Sequence, residues 1–119
     1  MKKDNLSKLI DALKKREEIL LKDQPISKYN KYFRIMVRCA RNLINENRQD
    51  ELLPYLDDES ISIQRDVAGL LYNCYPDRCR AVLEKISSMS IRTGLPKHLG
   101  NVRLSAVMAL EIGIPKDFP

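Results

Sequence analysis

A chain of 119 residues has the length of one domain and is long enough to bury a real core. With 44% apolar and 31% charged residues it has an ordinary globular composition, and no apolar run of about 18 residues is present to span a membrane. The net charge of +5 excludes an acidic mimic of nucleic acid and favours an acidic partner.

The opening stretch, MKKDNLSKLIDALKKREEILLKD, interrupts its apolar residues with Lys and Asp, so no signal peptide is expected. Cys39, Cys74 and Cys79 are an odd number of cysteines, expected to be reduced thiols in a cytoplasm. Charge is unevenly spread. Residues 1–50 hold thirteen Lys/Arg against seven Asp/Glu, whereas residues 51–119 hold eight against nine.

Helical spacing runs through the whole chain. A first helix is expected over Asn5–Lys22, with Asp4 or Asn5 as N-cap and Leu6, Leu9, Ile10, Leu13 and Leu20 on one face. Pro25 ends it. A second helix, Lys28–Asn47 with Ser27 as cap, carries an apolar arc of Tyr29, Tyr32, Phe33, Met36, Ala40, Leu43 and Ile44. A short third helix over Asp50–Leu56 contains Pro54. The fourth, Ile61–Tyr72, follows a cap at Glu59 or Ser60. Pro76 suits the first position of a fifth helix to Ser88. Gly94, Pro96 and Gly100 mark Ser90–Gly100 as a loop. A sixth helix, Asn101–Ile112, stops at Gly113 and Pro115. No alternating strand pattern occurs.

Two segments match in register. QRDVAGLLY (64–72) and VRLSAVMAL (102–110) each place an Arg near the start of an Ala-containing helix, and each follows an amphipathic helix and a break. A helical hairpin of this kind must stack on neighbours to bury its apolar face. LLPYLDDESISIQRDVAGLLY resembles a HEAT repeat, and PDRCRAVLEKIS with VRLSAVMAL resembles a degenerate copy. The chain is also similar to small bacterial HEAT-like domains. The resemblance implies an all-α fold, a short HEAT-like α-α superhelix of about three helical hairpins in a single domain over residues 1–119. It further implies binding of proteins or nucleic acids rather than catalysis.

Motifs for catalysis or cofactors are weak. His98 is the only histidine, and Cys74-x4-Cys79 supplies at most two ligands, so no metal is expected. A Cys–His or Ser–His–Asp site would depend on His98 alone. Neither a phosphate-binding Gly-rich loop nor a dinucleotide fingerprint is present, so no cofactor is expected. Asp57, Asp58 and Glu59 read as a solvated turn at a helix start. Arg65 and Arg103 read as ties to an acidic or carbonyl group in the preceding turn, Asp57 or Asp58 for Arg65. Gly69 inside a helix is expected to mark a close approach of two backbones.

The informative constellation is basic. Lys31, Arg34, Arg38, Arg41 and Arg48 fall within an arc of roughly 100° on an ideal α-helix. The planar fork of Arg suits carboxylate and phosphate better than Lys does. The ridge is either a solvated face or the contact surface for an acidic partner. The leading expectation is a non-catalytic protein-binding module, most specifically a bacterial immunity protein that occludes a cognate toxin, with Tyr29, Tyr55, Tyr72 and Tyr75 as anchors wherever exposed. The alternative is a helical-repeat protein binding nucleic acid through the same ridge. No membrane partner is expected.

Overall fold

Local capping chemistry decides where the helices start. In the computed structural model, which describes residues 4–89 and 97–119, the order is α1 (Asn5–Leu21), α2 (Ile26–Asn45), a 3-10 helix (Gln49–Asp57), α3 (Ile61–Leu71), α4 (Pro76–Ser87) and α5 (Lys97–Ile112). The described residues contain no strand, so the fold is all-α. Asp4 caps α1 by accepting the Ser7 N–H at 2.8 Å, and Ser60 caps α3 by accepting the Ile63 N–H at 3.2 Å. Pro76 opens α4 where no donor is needed.

Several expected boundaries shift for physical reasons. α2 begins at Ile26, before Ser27; Pro25 occupies the cap position and offers no side-chain acceptor. Its end also comes early, at Asn45, because Asn47 enters the left-handed region at φ 58 and sends the Arg48 N–H back to the Leu43 carbonyl at 2.8 Å. Asp23, at φ 51, ends α1 in the same manner. The segment around Pro54 is a tighter 3-10 helix, as a missing N–H donor favours. α5 starts at Lys97, four residues before the expected Asn101, so Gly100 lies inside a helix. Residues 90–96 of the expected loop, and the side chain of His98, lie outside the described residues. Gly113, at φ 91, stops α5 as expected.

The chain divides into two compact units, one up to Leu52 and one from Leu53 to Phe118. In the first, α1 and α2 form a hairpin. Leu9, Ala12, Leu13 and Ile19 of α1 are buried with Met36, Cys39, Ala40 and Leu43 of α2. Both sets follow helical spacing.

In the second unit α3, α4 and α5 pack on one another. α3 is buried nearly all round, from Ser62 through Gln64 and from Asp66 to Leu71. Cys79, Leu83 and Ile86 of α4 and Val102, Ala106 and Ala109 of α5 complete that core. Asn73 anchors the C-terminal segment, donating to the carbonyls of Pro115 at 2.9 Å and Phe118 at 2.7 Å.

The approach of two backbones expected at Gly69 is corrected. What a Cβ there would meet is the Arg65 guanidinium, with Nη1 at 2.7 Å. Arg65 thus lies along its own helix, over the next turn. In the turn before α3, Asp57 receives Arg78 at 3.2 Å and Asp58 receives the Ser60 N–H at 2.9 Å. The turn preceding Arg103 falls largely outside the described residues.

Candidate macromolecule-binding surface

α2 is built to bury one face and expose the other. Cys39, Leu43, Met36 and Ala40 are buried, and Lys31, Arg34, Arg38 and Arg41 are exposed on the opposite side. Among the described residues Arg34 and Arg38 carry no ion pair with a carboxylate. Lys31 Nζ sits 5.7 Å from the Tyr32 ring centroid, a distance for a weak cation–π contact.

Arg48 departs from this pattern. It lies beyond the end of α2 and is partly buried. Its guanidinium donates to Glu51 at 2.7 Å and 3.1 Å and to Glu46 at 3.1 Å. Those hydrogen bonds raise the Arg48 pKa above the ordinary guanidinium value and hold the Glu51 carboxyl below its own. Arg48 is thus set apart from the exposed α2 face of Lys31, Arg34, Arg38 and Arg41, with its guanidinium already paired to Glu46 and Glu51.

A residue that the periodicity missed supports the ridge from behind. Arg16 of α1 is only 5% exposed. Its guanidinium stacks 3.9 Å from the Tyr29 centroid and 5.1 Å from that of Phe33, and Nη1 lies 3.7 Å from Met36 Sδ. All three partners are on α2. Arg16 thus ties α1 to the Tyr29–Phe33–Met36 side of α2. The only signal in the sequence was an Arg falling in register with Leu9, Leu13 and Leu20 on an otherwise apolar face.

Beside the ridge runs a strip of apolar residues. Ile26 is 67% exposed and Phe33, two turns on, is 36% exposed. Tyr29, Tyr55, Tyr72 and Tyr75 are half-buried; Tyr72 receives Arg80 at 3.4 Å.

The thiols are poor nucleophiles in this environment. Burial raises the pKa of Cys39 and Cys74, and pushes that of Cys79 up to about 11, with Cys74 nearby adding to the shift. Among the described residues no three His, Cys, Asp or Glu side chains converge as a metal site. Nor, among them, is any helix long and apolar enough to cross a membrane. The chain matches no protein-family model, no curated protein and no solved structure.

Proposed function

We propose that this chain is a non-catalytic, HEAT-like binding module that grips an acidic protein surface with the α2 ridge. Its most specific form is a bacterial immunity protein that neutralises a cognate toxin by covering its active site. The observation that carries the reading is the outward display of Lys31, Arg34, Arg38 and Arg41 along α2, with Arg34 and Arg38 free of carboxylates among the described residues. Arg34 and Arg38 thus keep their guanidinium forks available for bidentate pairing with carboxylates.

The flanking strip favours protein over nucleic acid. Interfaces between proteins combine Arg and aromatic residues with an apolar core, and Phe33 and Ile26 stand next to the ridge. A phosphate backbone would leave those side chains uncovered. The HEAT-like part of the reading rests on the two matched sequence segments, which fall on α3 and α5, although α5 begins at Lys97 and so places Arg103 at its seventh residue against the fifth for Arg65 in α3.

The test is capture of the product of the neighbouring gene, expected to be a toxin C-terminal domain, by the chain and by its Arg34→Glu/Arg38→Glu variant. Capture that the variant loses supports the proposal, and failure of the unaltered chain to bind removes it. Nucleic acid is separated by salt. Four phosphate contacts would give a log–log slope of about −3.6 on duplex DNA. A slope of that size, abolished by the same variant, would replace the protein reading.

A further inference from the structure

The side chains at the turn between α1 and α2 enclose a feature that the ridge does not use. A cleft of about 230 Å³ opens there, with Lys15 on the α1 side and Lys28 and Lys31 on the α2 side. Gln24 and Tyr32 add a carboxamide and a phenol to its wall. Glu18 is the one acid that lines it. That carboxylate is already held by Lys22 Nζ at 2.8 Å. Three lysines therefore line one shared space, and its carboxylate is paired with Lys22 and held down in pKa by Lys22 and, more weakly, Lys15.

Like charges gathered in one concavity repel, and the repulsion is relieved when an anion enters. Size narrows the class of occupant. Sites for drug-sized ligands run to roughly 300–1,000 Å³, so this cleft suits a small oxyanion or a single acidic group. The N-terminus of α2 lies at the same end of the hairpin. Its cap residue, Pro25, offers no side-chain acceptor to the first-turn N–H groups, so the helix dipole adds to the positive potential there.

We infer that the cleft lined by Lys15, Lys28 and Lys31 is a binding site for a small multivalent oxyanion, phosphate or clustered carboxylate. Gln24 and Tyr32 supply hydrogen bonds that orient it, and Lys31 joins the site to the ridge. The site goes beyond the proposed function: it is read on the isolated chain, and either can fail while the other stands.

The test is an NMR titration of the 15N-labelled chain with two probes, inorganic pyrophosphate and a tetraglutamate peptide. The expected result is saturable shifts concentrated at Gln24, Lys28, Lys31 and Tyr32. The Lys28→Gln/Lys31→Gln variant should weaken binding at least tenfold, and Lys15→Gln should weaken it several-fold. All three lysines are exposed, so these variants should keep the native spectrum. Arg38→Gln/Arg41→Gln, further along α2, should change affinity less than threefold. Saturation by pyrophosphate alone identifies a free phosphate ligand; saturation by the peptide alone identifies a seat for acidic side chains. Unsaturable shifts spread along α2, or equal weakening by the lysine and arginine variants, would overturn the inference and leave only a diffuse positive field.

Discussion

Arg48 Nε lies 2.7 Å from Glu51 Oε2, one turn beyond the helix whose basic face it was expected to extend. The pairing divides five cations that look alike in sequence into two kinds. Four face outward, and one ties the end of α2 to the 3-10 helix. Arg48→Ala should therefore leave partner affinity within twofold of the unaltered chain but lower the melting temperature. The loss should shrink in high salt, where exposed ion pairs are screened. Thermal scans at two salt concentrations, together with binding titrations, check both halves.

The stability of the first unit should depend on pH in a definite direction. Asp4 is held below its ordinary 3.8 by the Ser7 N–H, and Glu18 and Glu51 below 4.5 by Lys22 and Arg48. A lowered folded-state pKa means the unfolded chain takes up protons first on acidification. The associated stability is complete above the ordinary carboxylate values and is lost as pH falls through and below them. Urea midpoints measured from pH 7 to pH 3 should fall monotonically across that window. A midpoint that rises on acidification would refute the assignment.

Arg16→Ala should destabilise the chain by about 2 kcal/mol, through lost stacking and packing on Tyr29, Phe33 and Met36. Arg16→Met, which keeps much of the packing, should cost less. Denaturant unfolding of the two variants checks the ranking.

At Gly69 two effects oppose each other. Alanine gains about 1 kcal/mol of helix propensity but meets Arg65 Nη1 at 2.7 Å. Gly69→Ala should thus stabilise an Arg65→Ala background by about 1 kcal/mol and the unaltered chain by less. A double-mutant cycle reads this coupling directly. Equal gains in both backgrounds would show that the guanidinium does not restrict the site.

Legibility followed the range of the interaction. Asp4, Ser60, Pro76 and Gly113 act within a turn of the chain: Pro76 and Gly113 marked their helix boundaries in sequence, and Asp4 and Ser60 were each one of two caps the sequence offered. The alternation of Met36, Ala40 and Leu43 with Arg34, Arg38 and Arg41 showed which side of α2 is buried. What was not legible depended on tertiary geometry. Asn47 reads as an ordinary helix residue until its left-handed φ diverts Arg48 toward Glu51. Arg16 shares the apolar register of Leu9 and Leu13, but its stacking on Tyr29 and Phe33 of α2 depends on how the two helices pack. The lysine cleft brings Lys15 to residues more than ten positions away, across a turn whose angle no periodicity encodes.

The central claim is that the outward arc of α2 grips an acidic protein, and affinity for the product of the neighbouring gene, which the proposal expects to be a toxin domain, tests it most directly. The account predicts a tight complex that Arg34→Glu/Arg38→Glu weakens by about a hundredfold, as expected when roughly 2.8 kcal/mol of paired-charge interaction is lost, and that Arg48→Ala leaves nearly unchanged. No complex, or one indifferent to reversing those two charges, would contradict it.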